Sequence, residues 1–296
     1  MTDHKSMPRL RRRARGEQFS MLRRAWRYGH TRAGLVLMVL VVLMAVVGPA
    51  IAPHSPTEFV GRPFAPPGQG ALLGTDSLGH DVWTRVLYGG RTVLWTSIAA
   101  TVIGMVLGTT LGLYAGFVRG AVDGLISRSL DVVLAFPQLV LVLLFVSMLG
   151  SHLWLIVLLS GVAIAPGVAR VSRGMTMDLA TRDFVRSAEL LGLGRTRLLF
   201  GEVLPGLTSP LLVEATMRLM WSIGLIAGVS FLGFGVQAPV ADWGLMINEN
   251  RNGFSLQPWA VLAPVTMLGL LASGSGLVAE GLSRALALVS SAEMNP

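Results

Sequence analysis

The sequence predicts an all-α polytopic membrane protein with six transmembrane helices and both termini in the cytoplasm. Three observations support this fold class. Only 14% of the residues are charged, whereas a soluble domain has roughly 25%. Several uncharged apolar runs are long enough to cross a bilayer. A strongly basic leader, which holds ten of the 24 basic residues, precedes the first of these runs, as the positive-inside bias expects.

The apolar runs define the spans. The run 33–52 has no Ala-x-Ala cleavage pattern after it, so we interpret it as a retained first span and not as a signal peptide. The run 132–169 would measure about 57 Å as one helix. Because a hydrocarbon core is only about 30 Å thick, this run must hold two spans, with a turn at 150–152.

These runs give a domain organisation with a basic cytoplasmic leader at 1–32, a six-span domain at 33–286 and a cytoplasmic tail at 287–296. A cytoplasmic loop at 171–210 and two outer loops, 54–91 and 235–257, connect the spans. The predicted spans lie near 33–53, 92–117, 130–150, 153–170, 211–234 and 258–280.

The distribution of basic residues fixes the predicted orientation. With the leader in the cytoplasm, the cytoplasmic segments hold 19 basic residues and the outer segments hold four, which are Arg62, Arg85, Arg91 and Arg251. This asymmetry favours cytoplasmic termini.

The segment from Thr181 to Gly206 is a compact charged segment between two apolar runs, with seven charged residues. Helical spacing predicts a first short helix, capped by Thr181 or Asp183, and a second that ends at Pro205. The first carries Phe184, Val185, Ala188 and Leu191, the break is Gly192-Leu193-Gly194, and the second carries Leu198, Leu199 and Val203. Each helix has an apolar and an Arg-rich face, which suits docking into a groove of a soluble partner. A loop that lies on anionic headgroups is the alternative.

Glycine repeats every four residues in the second span, at Gly104, Gly108, Gly112 and Gly116. Such a stripe allows a second helix to approach backbone to backbone. The stripe predicts either packing within this chain or an interface that moves or that meets a partner membrane subunit.

Ionisable residues within or beside the spans are candidates for function. Glu214 and Arg218 are four residues apart and can pair on one helix face, either lining the cytoplasmic half of a pathway or neutralising each other near the headgroups. Asp131 with Arg128 is predicted to be a structural anchor at the membrane edge. Pro137 is expected to kink the third span.

Outside the membrane, residues 76–88 predict a capped amphipathic helix that lies flat on the bilayer, with Trp83 at the interface. The later outer loop contains Asp242, Trp243 and Asn248, which together with Trp83 are candidates for contact with a protein partner outside the membrane. His80 has no second ligand nearby in the sequence, so a metal site is disfavoured.

The sequence excludes several kinds of chemistry. It has no cysteine, so disulfides and thiolate sites are absent. A P-loop needs a lysine, and the single lysine is Lys5 in the leader, so the chain is expected to bind no ATP and no other cofactor. No enzyme motif is present. Two other classes of protein are alternatives. An ion-coupled secondary transporter would need acids or broken helices at mid-span, where this sequence has almost no acids. A structural scaffold would use the charged segment only for contact with lipid.

Several motifs resemble a known family. The order Arg186-Ser187-Ala188, then Gly192, then Leu204-Pro205 resembles the EAA loop of ABC-importer permeases. Four further segments resemble the dipeptide, oligopeptide and nickel branch of that family, most closely its "C" permease subunit for dipeptides. They are LLGTDSLGHDVWTRVLYGGRTVL (72–94), LDVVLAFPQLVLVL (130–143), SFLGFGVQAPVADWGLMI (230–247) and QPWAVLAPVTMLGL (257–270).

The resemblance covers roughly residues 20–286 and implies a type I importer permease in a bacterial inner membrane. Its implied partners are a second permease, two ATP-binding subunits that hold ATP and magnesium, and an extracytoplasmic substrate-binding protein. The candidates for contact with that binding protein are Trp83, Asp242, Trp243 and Asn248. The implied coupling residues are Asp183, Phe184, Arg186, Ser187, Ala188, Glu189, Gly192, Leu193, Gly194, Leu204 and Pro205. Two positions depart from the pattern, Arg186 in place of Glu and Glu202 in place of an apolar residue or His. The resemblance favours a dipeptide as the substrate, with a longer oligopeptide as the second choice and a nickel chelate as the third.

Overall fold

The computed structural model describes residues 21–68, 70–182, 185, 187, 190 and 192–294, with side chains as far as residue 288. These residues form helices and turns, with only isolated β-bridges between turns. The helices are α1 (Gly29–Ile51), α2 (Val82–Val118), α3 (Gly120–Leu134), α4 (Gln138–Leu149), α5 (Leu153–Leu179), α6 (Arg195–Leu198), α7 (Leu204–Phe231), α8 (Trp243–Asn250) and α9 (Trp259–Met294). The predicted all-α membrane fold class is confirmed, and the side on which the termini lie stays a prediction.

Five helical stretches are long and apolar enough to cross a bilayer, and α3 with α4 forms a sixth candidate as a bent pair. Several helices extend beyond the predicted spans. α2 begins at Val82 where 92 was predicted, α5 ends at Leu179 where 170 was predicted, and α9 continues to Met294. Charged residues mark where a helix leaves the lipid, but they do not end it, because arginine and glutamate are good helix formers. The connecting loops are correspondingly shorter than predicted.

The third predicted span, 130–150, is not one helix. α3 ends at Leu134, Pro137 stands immediately before α4, and the two axes differ by 82°. Proline has no amide hydrogen to donate and its ring collides with the preceding turn. The kink predicted at Pro137 is therefore a complete break.

The glycine stripe of α2 packs against α5 within this chain. A Cβ built on Gly104, Gly108, Gly112 or Gly116 would stand 2.4–3.0 Å from a backbone carbonyl oxygen of α5, and the four oxygens belong to Gly161, Ala165, Ala169 and Arg173 in that order. Both series advance by four residues, so the two backbones touch along four successive turns. The alternative of a partner permease at this stripe does not hold, because α5 already occupies it.

The same contact fixes the chain path. Residue numbers rise together along both helices, so α2 and α5 run parallel at the same depth. The chain must therefore return from the end of α2 to the level where α5 begins. The bent pair α3–α4 makes this return, which favours six crossings over five.

The helix predicted at residues 76–88 begins later than expected. Residues 76–81 are turns, and Asp81 caps α2 by accepting hydrogen bonds from the amides of Trp83 at 3.3 Å and Thr84 at 3.1 Å. An aspartate at this position satisfies amides that have no partner in the first helical turn. The helix is therefore the first turns of the second span and not a separate helix lying on the membrane.

Gly112→Ala should destabilise the chain, because the new Cβ would lie 2.4 Å from the carbonyl oxygen of Ala169, a backbone atom that cannot move without shifting α5. We expect a loss of about 1–3 kcal/mol, as for overpacked cores. Thermal unfolding in detergent, followed by size-exclusion recovery, measures it. Gly124→Ala is the matched control, because nothing lies within 4 Å of its Cβ position. Equal melting temperatures for the two variants would contradict the role given to the stripe.

Candidate functional site

The charged segment between α5 and α7 is the first candidate site. Of its predicted coupling residues, Asp183, Phe184, Arg186, Ala188 and Glu189 lie outside the described residues. Ser187, Gly192 and Gly194 are exposed, while Leu193, Leu204 and Pro205 are partly buried. Gly192 has φ +77°, a conformation that favours glycine, and it lies at the predicted break.

The start of this segment differs from the prediction. The hydroxyl of Thr181 donates to the carbonyl oxygen of Asp178 at 2.8 Å, so it closes the end of α5 and does not cap a new helix. The amide of Val185 donates to the carbonyl of Arg182 at 3.1 Å.

The second predicted short helix does not end at Pro205. α6 passes through a π-helical turn, Leu199–Val203, directly into α7, and Pro205 lies in the first turn of α7. A proline is tolerated there because the first-turn amides have no intrahelical acceptor. Residues 195–231 thus form one continuous stretch that qualifies as a span candidate. Residues 195–203 of the segment are therefore a helical extension of the fifth span.

The apolar side chains of the segment are used inside the chain. Val185, Leu198, Leu199 and Val203 are buried in a cluster with Leu113 of α2 and Leu207 and Leu211 of α7. Partly buried side chains complete it: Met105 and Phe117 of α2, Met175 and Leu179 of α5, and Leu193 and Leu204. We call this set the inner cluster. It attaches the segment to three long helices at once.

The opposite side of the segment faces away from the chain. Leu190 is 89% exposed and Phe200 is 52% exposed, and Arg195 and Arg197 are also exposed beside them. Exposed apolar side chains next to arginines are typical of a surface that a protein partner covers. Most of the apolar side chains that were predicted to dock on a partner are therefore buried in the inner cluster. A smaller number remain at the surface.

Two ion pairs tie α3 to the same end of α5. The guanidinium of Arg173 binds both carboxylate oxygens of Asp123, with Nη2 at 2.7 Å from Oδ2. Arg170 Nη2 lies 2.7 Å from Asp131 Oδ1, so Asp131 pairs with α5 and not with Arg128 as predicted. The prediction considered only neighbours on one helix, and the 82° bend brings α3 against α5 instead. Asp131 is an anchor, as expected, with a different partner.

Glu214 and Arg218 form the predicted pair on α7. Arg218 Nε donates to Glu214 Oε1 at 2.7 Å, and both side chains are mostly buried, at 20% and 9% exposure for Arg218 and Glu214. The guanidinium also lies flat against Gly167 of α5, where an added Cβ would come within 2.9 Å of both terminal nitrogens. The pair therefore bridges α7 to α5, directly after Pro166. This contact could not be derived from spacing.

A buried ionic network lies at the opposite end of α2. Arg85, only 2% exposed, contacts the carboxylate of Asp76, and its Nη1 lies 2.9 Å from Glu249 Oε2 of α8. Asp76 also accepts hydrogen bonds from the amides of Leu78 and His80, each at 2.9 Å. Burial raises the pKa of Asp76, but the charge of Arg85 and these hydrogen bonds outweigh it and hold the pKa below its usual value. Residues 52–81 are thereby locked onto α2 and α8.

Two of the predicted binding-protein contacts are core residues. Trp243 is fully buried, donates its indole N–H to the Val86 carbonyl at 2.8 Å and packs on Gly89 and Gly90 of α2. Asp242, 1% exposed, caps α8 through the amide of Leu245 at 3.0 Å, and burial raises the pKa of its carboxyl. Neither side chain is available at the surface. The prediction of surface contacts was wrong for these two residues, because it assumed that a loop with polar residues is exposed.

Trp83 and Asn248 are partly exposed. Asn248 donates its amide to the carbonyl of Phe231, which joins α8 to the end of α7. His80 stays close to Asp76 through Nδ1 at 3.1 Å, and the described residues contain no group of three or more metal-ligating side chains. The network of Arg85, Asp76 and Glu249 was missed because Glu249 lies far from the other two in the sequence. The separation of Asp76 and Arg85, nine residues, does not match a helical spacing.

Comparison with known proteins agrees with this architecture. Residues 108–287 match the family model of the binding-protein-dependent transport system inner membrane component. The chain is 35% identical over 278 residues to the di/tripeptide transport system permease protein DppC of Pseudomonas aeruginosa, covering 90% of this chain and 92% of that protein.

Two further relatives have related names. The dipeptide transport system permease protein DppC of Alkalihalophilus pseudofirmus is 32% identical over 254 residues, covering 86% of this chain and 84% of the relative. The glutathione transport system permease protein GsiD of Salmonella typhimurium is 41% identical over 214 residues, covering 72% and 71%. The resemblance seen in the sequence motifs is confirmed, and the chain belongs to the family of inner membrane components of binding-protein-dependent transport systems.

Proposed function

We propose that the chain is one of two permease subunits of an ATP-driven importer that carries dipeptides or short oligopeptides across a bacterial inner membrane. Two of the compared relatives are named for di- and tripeptide or dipeptide transport, and a third is named for glutathione, itself a short peptide. These names support a peptide substrate over a nickel chelate. An extracytoplasmic binding protein delivers the substrate in this proposal.

The single observation that carries the proposal is the position of the inner cluster. It joins the segment at 180–211 to α2, α5 and α7, while Leu190 and Phe200 on the other side stay exposed. A displacement imposed on the exposed side is passed to three spans without an intervening flexible linker, because α6 is continuous with α7. A membrane subunit that is moved by separate ATP-binding subunits requires such a connection between its docking surface and its spans.

The energy comes from partner subunits in this proposal. Two ATP-binding subunits hold ATP and magnesium, and the chain itself acts as a membrane component that is not catalytic. Its single lysine, Lys5, is remote from any glycine-rich loop, so a P-loop is not available in the chain. The segment at 180–211 is the surface that one of these subunits grips.

The contact of Arg218 with Gly167 connects the two helices on either side of that segment. α5 leads into it and α7 leads out of it. Because Arg218 is held by Glu214 and packed on α5, we assign the pair to coupling between α5 and α7 in preference to lining a pathway.

Leu190→Asp should weaken the docking of the ATP-binding subunits without unfolding the chain, because Leu190 is 89% exposed. We assign Leu190 to the few interface residues whose loss costs about 2 kcal/mol or more, so co-purification of the ATP-binding subunits should fall by about tenfold or more. Leu72→Asp is the matched control, since Leu72 is 71% exposed at the other end of the molecule. Full co-purification with the Leu190 variant, together with ATP-driven uptake, would contradict the docking surface.

Gly167→Ala should weaken coupling while leaving the fold intact. The new Cβ would stand 2.9 Å from the terminal nitrogens of Arg218, which can swing aside because they end a flexible side chain. We expect uptake per ATP hydrolysed to fall roughly two- to thirtyfold, the range of about 0.5–2 kcal/mol seen for coupling residues. Gly174→Ala is the control on the same helix, since nothing lies within 4 Å of its Cβ position. If both variants transport equally well, Arg218 does not couple α5 to α7.

The substrate class can be tested in cells that lack the gene. They should lose accumulation of a radiolabelled dipeptide, and the gene supplied in trans should restore it. Unlabelled tripeptide should compete, and a nickel chelate should not, because a site built for peptide termini and amides leaves polar groups unpaired with a metal chelate. Undiminished dipeptide uptake in the deleted cells, with loss of nickel uptake, would assign the chain to nickel transport instead.

A further inference from the structure

The residues immediately before the first span form a three-sided element. Residues 21–25 make one helical turn, continued by turns up to α1. Met21 and Ala25, each 1% exposed, face the protein. Leu22 and Trp26, 45% and 55% exposed, form a second face one step around the helix. Arg23 and Arg27 form a third face and are exposed.

The inward face docks on two long helices. Met21 and Ala25 lie in one buried cluster with Val213 of α7 and with Leu282 and Ala285 of α9. Polar contacts fix the same element: Arg24 Nη1 donates to the carbonyl of Leu288 at 3.4 Å, and Arg32 Nε donates to the carbonyl of Trp26 at 2.7 Å. The element is therefore held in one orientation relative to α7 and α9.

This orientation places the other two faces where a bilayer surface would meet them. The element leads directly into α1, a span candidate with a mean hydropathy of 2.8, so it lies at the level of the lipid headgroups. Tryptophan and leucine beside a span favour the headgroup boundary, and arginines there favour anionic headgroups. The leader adds to this charge, because residues 1–32 contain ten basic residues and two acidic ones.

We propose that residues 21–27 bind anionic phospholipid headgroups of the adjacent leaflet through Arg23 and Arg27, with Leu22 and Trp26 inserted at the headgroup boundary. The occupant is lipid, since apolar and cationic side chains stand next to each other on the faces turned away from the protein. Binding stabilises the docked position of the element on α7 and α9. Val213, in this contact, directly precedes Glu214, so a lipid-dependent anchor acts on the helix that carries the Arg218 contact.

The absence of cysteine in the chain allows a direct test. A fluorophore is attached to Leu22→Cys in the full chain, assembled with its partner subunits and reconstituted in phosphatidylcholine nanodiscs that contain a spin-labelled lipid. Spin-labelled phosphatidylglycerol should quench the fluorophore about twofold or more strongly than spin-labelled phosphatidylcholine, and high salt should reduce this excess.

The charge is tested by Arg23→Gln with Arg27→Gln, which leaves Arg24, Arg32 and the earlier basic residues in place to orient the chain. The excess quenching should disappear in this variant. Arg62→Gln with Arg251→Gln is the control with the same change of net charge at the other end of the molecule, and it should keep the excess.

Three results would overturn the proposal: equal quenching by the two lipids in the unaltered background, an excess that survives in the Arg23 and Arg27 variant, or an excess that the control also loses. Inorganic phosphate that removes the excess at an ionic strength where chloride does not would assign the arginines to free phosphate instead of lipid. The measurement is of lipid contact alone, so its outcome is independent of whether the chain imports peptides.

Discussion

The rest of the structure depends on the backbone contact between α2 and α5. Lipid tails are as apolar as leucine, so the hydrophobic effect gives two spans little reason to associate, and close packing must supply the attraction. Four glycines of α2 meet four carbonyls of α5 at successive turns, a closeness that any side chain on those positions would prevent. This contact is parallel, and a parallel pair of neighbouring helices forces the intervening chain to cross the membrane. The break at Pro137 lets α3 and α4 make that crossing while α3 turns back towards α5, where Asp123 and Asp131 meet Arg173 and Arg170.

Around this pair, the two ends of α2 are held by contacts of different kinds. At one end, Arg85, Asp76 and Glu249 form a buried ionic network, and the indole of Trp243 donates to the helix backbone. At the other end, Leu113 and Phe117 lie in the inner cluster of apolar side chains. A buried charge that loses its partner is strongly unfavourable, so the network admits one geometry. Apolar contacts have no preferred direction and tolerate small shifts.

Much of this fold could be predicted from the sequence, since a bilayer demands long uncharged runs and the runs are visible. The close-packing stripe Gly104–Gly116 was also visible, although the sequence left its partner open, and a kink was predicted at Pro137 where the structure has a complete break. The errors have a common origin. Loss of apolar character was taken to bound a helix, although the hydrocarbon boundary and the helix boundary are separate constraints. As a result, α2 and α7 begin earlier than predicted, and α5 and α9 end later. Pro205 was taken as the end of a helix, but a first-turn proline is compatible with a helix.

Trp243 and Asp242 were predicted to be exposed because polar loops usually are, whereas each satisfies a specific backbone group inside the fold. The contacts of Arg85 with Glu249 and of Arg218 with Gly167 join distant parts of the chain, and no local pattern encodes them.

The difference between the two ends of α2 has a mechanical consequence for a subunit that is moved from outside. A push delivered to the segment between α5 and α7 reaches α2, α5 and α7 through side chains that can slide against one another, and it reaches α5 a second time through the guanidinium of Arg218. At the far end, sliding would separate Arg85 from two carboxylates in a site that excludes water. Rotation about the far end therefore costs less than translation of the whole helix. If the subunit is driven from outside, as we propose, such a bundle would open at the end that carries the segment, with the ionic network as its pivot.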